Sequence, residues 1–408
     1  MTALELRAAY AARQLSPVEA ADALLARIDS TDGEVNAFCH LGSDETIAQA
    51  RESESRHYAG EARGPLDGVP VAIKDFFNTR GWPTRKGSRL IDAAQDWIED
   101  APAIARLREA GAVLIGKTTT PEFGWKGLTD SPLTGVTRNP WDLTKTPGGS
   151  SGGSAAALAA GMAPLALGTD GGGSVRIPGS FTGTVGLKPT FGRVPYAPMS
   201  AFGTLSHAGP MARTVADAQL LYEALAVYDV ADWTALPDHA EPSAAANDVR
   251  GLRVMFSLTL GFADVDPQVA ALVTAAAETV ASLGMEVVAA DPGIADPTRV
   301  WETLWYAGAA AIVDNLDPAR VHEVDPGLLE IAAAGRQLSV LDYMRAAGDR
   351  VDVAVRLGRT LDEYDILITP TMPITAFDAG VEVPDGWPHR RWQTWSPFSL
   401  PFNLSQQP

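Results

Sequence analysis

Cysteine is almost missing from this 408-residue chain: Cys39 stands alone, so no internal disulfide framework and no cysteine-rich metal site can be built, which fits a reducing cytoplasm. Positive charge is scarce too. Lys and Arg number 32 against 50 Asp and Glu, a net charge of −18, and over such a surface a nucleic-acid partner is not expected. Histidine is sparse and scattered, His57, His207, His239, His322 and His389 showing no ligand spacing, so neither a metal nor another cofactor is expected. Long apolar runs are also lacking. The stretch from Ala155 to Leu167 is broken by Gly161 and Pro164, too short for a membrane span. The start, Met1-Thr2-Ala3-Leu4-Glu5-Leu6-Arg7, leads into an amphipathic helix and carries no signal-peptide pattern, so a cytoplasmic location is expected. What is present is 46% apolar and 20% charged content, enough for one large core or two modest ones.

Ser16-Pro17-Val18-Glu19 reads as a capping box with proline at the first helical position, and Ala20, Leu24 and Ile28 continue that helix. The first sixty residues look helical and surface-lying. From Gly64 the character changes: Val69 to Ile73 and Ala112 to Ile115 are continuous apolar runs, as in strands covered on both faces, with a helix from about Pro102 to Ala110 between them, stopped by Gly111. Asp266-Pro267 and Gly284 bracket another helix, with Val269, Leu272, Val273, Ala276, Val280 and Leu283 on one stripe. Its flanks, Leu252 to Phe256 and Glu286 to Val288, read as strands, as does Ile366 to Ile368. The stretch at 240 to 248 reads as a surface loop. No repeat at solenoid spacing is found. The expected fold is α/β: a single domain, 1–408, with a central mixed, mainly parallel sheet flanked by helices on both faces. Within it, 1–63 are N-terminal helices, 64–215 the central part with most of the strand runs, and 216–408 the remaining sheet and helices.

Two glycine loops carry serines: Gly148-Gly149-Ser150-Ser151-Gly152-Gly153-Ser154 and Asp170-Gly171-Gly172-Gly173-Ser174-Val175-Arg176. Glycine permits φ > 0 and close approach, so the N–H groups around such serines can be reached. A serine hydroxyl needs a base to become a nucleophile. His207 would call for an acidic partner and a Gly-x-Ser-x-Gly elbow, and neither serine has that setting. Lys74, closing the strand-like run Gly68 to Asp75, can serve if it is neutral, which asks for a fall of roughly 3 pKa units, on the order of 4 kcal/mol. Consecutive N–H groups at Gly171, Gly172, Gly173 and Ser174 make Ser174 the better nucleophile and leave Ser150 to relay its proton to Lys74.

The segments Gly68 to Asp75, Thr146 to Ala157, Gly168 to Pro178 and Gly186-Leu187-Lys188-Pro189-Thr190 resemble the amidase signature family, most specifically between 64 and 215. That resemblance implies an amidase working through a Ser–cisSer–Lys triad and an acyl-enzyme, with Ser174 as nucleophile, Ser150 as the cis-serine and Lys74 as base. It implies an oxyanion hole at the N–H groups of Gly171, Gly172, Gly173 and Ser174, with Asp170, Arg176 and Ser151 in support. Gly171 departs from the family, which usually has a threonine or another side chain there. Family members also usually continue past a segment like Ser399 to Pro408, so the C-terminal part is expected to be incomplete and the isolated chain poorly stable or inactive. The expected partner is a small-molecule amide, with a homodimer allowed and no membrane.

Competing readings are weighed on the same residues. Gly-Gly-Ser runs are often linkers, but two of them beside a lysine strand are not. Gly111 to Thr118 matches the phosphate-loop pattern, yet a helix precedes Gly111 and the intervening residues read as a strand, so a chance match is favoured. Cys39 beside His40 reads as a small core residue, because adjacent side chains point apart. Trp301, Trp305 and Tyr306 share a helical face and read first as core; the family resemblance also sets them at a pocket for an apolar acyl or amine group. Two further functions stay open: the amidase (glutaminase) component of a tRNA-dependent amidotransferase, and an inactive scaffold derived from the fold.

Overall fold

A computed structural model describes residues 1–237 and 248–408. The loop expected at 240 to 248 therefore lies outside the described residues except for its last position, and so does His239.

The N-terminal helices are set by their caps. Thr2 caps α1 (Ala3–Ala11), and Ser16 with Glu19 forms the expected capping box on α2 (Pro17–Val35). Asn36 in the left-handed region ends α2 and turns the chain into β1 (Phe38–Leu41), an edge strand the sequence did not reveal. Next comes α3 (Ser43–Ala59).

The next stretch builds the main sheet. Its strands are β2 (Pro70–Lys74), β3 (Val113–Thr118), β6 (Leu165–Asp170), β7 (Val185–Gly186) and β8 (His207–Ala212), with a small hairpin of β4 (Asp130–Ser131) and β5 (Gly135–Val136) apart from it. Between them run α4 (Pro102–Glu109), α5 (Gly152–Ala159), α6 (Arg176–Thr182) and α7 (Val215–Leu225). The order is β1-β3-β2-β6-β8-β7. The centre, β3-β2-β6, is parallel, as expected, and antiparallel strands flank it on both sides.

Every position of β2, β3 and β6 is buried, which explains their unbroken apolar runs. Alternation along the strands sorts the side chains into two layers. Val71, Ile73, Leu114, Leu165 and Leu167 pack on one face with Ile104, Leu107, Leu221 and Leu225 from α4 and α7. The small Ala72 and Ala166 face the other way, against Ala155, Ala156 and Ala157 of α5 and Ile28 of α2. Small side chains on both sides let α5 lie close to the sheet, so both serine loops, which flank α5, are held against the strand ends.

The second half of the chain does not join this sheet. A separate parallel sheet, β10-β9-β11, holds β9 (Arg253–Phe256), β10 (Glu286–Ala289) and β11 (Ile366–Ile368). The expected strand–helix–strand unit is present, with α8 (Pro267–Ser282) capped by Asp266. Its expected buried stripe is corrected. Leu272 and Leu283 are 65% and 54% exposed, Ala276 is exposed too, and the inward line runs through Val269, Val273, Ala277 and Val280, because this small sheet covers only a narrow strip of the helix. The remaining helices are α9 (Thr298–Asp314), α10 (Pro326–Gly335), α11 (Val340–Glu363) and α12 (Leu400–Ser405). They close over a core rich in aromatics, with Trp125, Trp301, Trp305, Trp392, Trp395, Phe181 and Phe202 among its buried members. No helix of the described residues is long and apolar enough to cross a membrane.

Candidate active site

Strand β2 ends in Lys74, which is wholly buried. Its Nζ lies within hydrogen-bond distance of three hydroxyls, Ser150 Oγ at 2.7 Å, Thr169 Oγ1 at 2.8 Å and Ser151 Oγ at 3.0 Å. Among the described residues no carboxylate stands within ion-pair distance of it. Burial pushes the lysine well below its ordinary pKa, and the charge of Asp170 opposes this only in part. Ser151 is fixed in turn by Thr169, whose backbone N–H donates to Ser151 Oγ and whose carbonyl accepts from it.

The first glycine loop approaches its neighbours closely. The Gly149–Ser150 peptide is cis, and a Cβ at Gly149 would lie 2.2 Å from the Leu128 carbonyl oxygen, so no other residue fits that position. The Ser151 N–H donates to the Ser174 carbonyl at 3.0 Å and ties the two loops together. Ser174 is 4% exposed, and among the described residues no hydrogen bond joins its hydroxyl to that of Ser150.

Asp170 organises the second loop. Its carboxylate accepts from the N–H groups of Gly173 (2.8 Å) and Val175 (3.2 Å), from Arg176 Nη2 (2.8 Å) and Nε (3.0 Å), and from Asn403 Nδ2 (2.9 Å). Burial alone would raise its pKa; Arg176 and Asn403 reverse that and hold it far below the usual carboxylate range. One expectation is corrected here. The Gly173 N–H is spent on Asp170 and is not free for an oxyanion, whereas those of Gly171, Gly172 and Ser174 have no protein acceptor among the described residues.

The carbonyls of this loop are gripped from the far half of the chain. Asn403 Nδ2 donates to Asp170 O (3.2 Å), Trp301 Nε1 to Gly171 O (3.0 Å) and Ser399 Oγ to Gly172 O (2.7 Å). In a trans peptide the C=O of one residue opposes the N–H of the next, so turning the first two carbonyls toward Asn403 and Trp301 aims the Gly171 and Gly172 N–H groups the opposite way. Arg176 completes the clamp on Ser399 O and Asn403 Oδ1. Sequence reasoning missed Ser399, Asn403 and Thr169. A signal for the first two exists, since they are the polar members, four apart, of the apolar run Phe398 to Leu404.

The aromatic residues assigned to a substrate pocket sit differently from that expectation. Trp301 and Trp305 are 0% and 3% exposed, and their indoles donate to backbone carbonyls, Gly171 and Trp125, so they support the loop from the core instead of walling an open cavity. Tyr306 is half-buried and its hydroxyl accepts from Gln393.

Three competing readings meet the same geometry. His207 is no base for either serine: Nδ1 faces the carbonyls of Leu205 and Asp170, and burial, with Lys188 nearby, pushes the ring down to about 3. Gly111, at φ 83, ends the turn after α4, and Lys117 lies within β3, fully buried, donating to Phe77 O and Thr84 Oγ1, so no phosphate loop forms. Cys39 is exposed on edge strand β1, not a core residue as expected, and its Sγ donates to Lys117 O.

A buried lysine on hydroxyls, a cis-serine peptide and a glycine loop with aimed N–H groups define an acyl-transfer site. The chain belongs to the amidase family, whose profile matches residues 19–408. It is 38% identical over 417 residues to the acylamidase of Rhodococcus erythropolis, covering 100% of this chain and 87% of that protein. It is 40% identical over 422 residues to a component of the glutamyl-tRNA(Gln) amidotransferase of Acidothermus cellulolyticus, at 94% and 82% coverage. The crystal structure of a bacterial aryl acylamidase of the amidase signature family superposes with a TM-score of 0.92 at 29% identity, covering 100% of this chain and 88% of that one. The protein is an amide hydrolase.

Proposed function

We propose that the chain hydrolyses a carboxylic acid amide through an ester on Ser174. The observation that carries this is Lys74, buried and bonded only to hydroxyls among the described residues, where burial lowers its pKa and so favours the neutral amine. Lys74 takes the Ser150 proton as Ser150 takes that of Ser174, and the Ser174 oxygen attacks the amide carbon. The oxyanion is received by the N–H groups of Gly171, Gly172 and Ser174, each such donor being worth about 10²- to 10³-fold in rate. The proton returns through Ser150 to the leaving nitrogen, which departs as ammonia or amine, and water then resolves the ester by the same relay. Ser151 orients Lys74; Asp170 and Arg176 hold the loop. Tyr306 is the aromatic group we retain beside the acyl or amine part. Residues 64–215 supply the triad within a single domain, 1–63 cover it, and 216–408 hold the loop and the entrance. The lone cysteine and the acidic charge support work in the cytoplasm, away from nucleic acid and membrane.

The test is labelling by a fluorophosphonate together with turnover of a panel of amides. Ser174→Ala should abolish both, and Ser150→Ala and Lys74→Ala should each slow turnover on the order of 10³-fold or more. Labelling that survives Ser174→Ala overturns the nucleophile. The likeness to amidotransferase components favours a second reading as a glutaminase serving a partner. Ammonia release from glutamine that appears only with a partner protein would establish it.

A further inference from the structure

Helix α11 is apolar on two opposite faces. Ala346, Val353 and Leu357 are buried against the body of the protein, whereas Leu341, Met344, Val351 and Val355 are 64%, 60%, 56% and 45% exposed. With Gly348 and Gly358 these four stand alternately three and four residues apart from Leu341 to Gly358, the heptad spacing of a helix–helix seam and not the scatter of single apolar residues normal on a surface. A Cβ placed at Gly348 or Gly358 would meet nothing within 4 Å, so the seam is open over its length of about 25 Å.

We propose that this seam is the interface of a homodimer in which α11 packs antiparallel against its own copy about a twofold axis. The seam complements itself in that direction. Antiparallel pairing sets Leu341 on the partner's Gly358, Val351 on the partner's Gly348 and Met344 against the partner's Val355, so the bulkier chains meet the two bare positions. The seam's edge carries Arg345 and Asp352 one heptad apart, and the same pairing brings Arg345 beside the partner's Asp352, repeated by symmetry. A parallel pair would set this edge against Ala347 and Ala354, with no charge to meet it. Arg345 is free to re-pair: its side chain is 72% exposed and its contact with Asp342, at 3.3 Å, is a surface ion pair of little strength. The net charge of −18 disfavours an anionic bilayer as the occupant.

Sedimentation velocity over a wide concentration range tests this on the full chain. The wild type should show a reversible dimer, and Val351→Glu, at an exposed position, should leave a folded monomer by circular dichroism. Arg345→Glu and Asp352→Arg should each weaken the dimer by roughly tenfold or more, and the double reversal should restore it. A wild type that stays monomeric, a dimer indifferent to Val351→Glu, or a double reversal no tighter than its singles would overturn the interface. So would binding of the wild type, but not of Val351→Glu, to phosphatidylcholine–phosphatidylglycerol vesicles.

Discussion

A buried lysine with no carboxylate partner among the described residues has its pKa lowered by burial, and the groups around it must suit both of its protonation states. Ser150, Ser151 and Thr169 can accept from an ammonium or donate to an amine, so the hydroxyl shell lets the proton come and go without leaving an unpaired group. The rate should therefore depend on Lys74 being neutral. kcat/KM for an amide is expected to rise with pH through one ionisation below the ordinary lysine value of 10.5 and then level off, and Lys74→Arg should remove the productive limb. A flat profile over that range would contradict the assignment. At this scale much was legible in the sequence, because the glycine loops and Lys74 lie in contiguous motifs. The use of the Gly173 N–H was not legible, because it depends on where the Asp170 carboxylate folds back, which no spacing reveals.

Between elements, the short helix α12 and the segment before it act at a distance on the loop that opens α6. Ser399 and Asn403 touch no reacting atom in the proposed mechanism; Asn403 turns the Asp170 carbonyl so that the Gly171 N–H faces the opposite way, while Ser399 only steadies the loop through the Gly172 carbonyl. Asn403→Ala should lower kcat by about 10²-fold with a smaller change in KM, as expected when donors are misaimed and not lost, and Ser399→Ala should do less. Equal changes in both constants, or a collapse of the thermal transition, would indicate a merely structural role. Element existence was legible wherever periodicity or caps were strong, as in α2, β2 and α8. What covers an element was not. The apolar stripe on α8 predicts a buried face, yet a three-stranded sheet is too narrow to cover Leu272 and Leu283, and a strand such as β1, with Cys39 and His40 in it, has too little pattern to announce itself.

For the whole molecule, the site exacts a cost in stability. A lysine whose pKa is lower folded than unfolded binds its proton more readily in the unfolded chain, so folding weakens as pH falls from 10.5 toward the folded value and levels off below it. Lys74→Met should consequently melt higher than the wild type by about 2 °C or more, with a larger gain at pH 6 than at pH 9. A gain equal at pH 6 and pH 9 would show that the lysine stays charged in the folded state across that range. The division into two sheets was beyond the sequence, since the short strands β9, β10 and β11 read no differently from those of the main sheet and only pairing separates them.

The grip of Asn403 and Ser399 on the Asp170 to Gly172 carbonyls also has a meaning in time. On the ribosome the strand ends, both serines and Lys74 emerge first, while the side chains that set the loop's direction come more than two hundred residues later. A nascent chain thus carries Lys74, Ser150 and Ser174 long before the side chains that grip the Asp170 and Gly172 carbonyls have been made. The direction of the second glycine loop is therefore among the last features of the site that synthesis can supply.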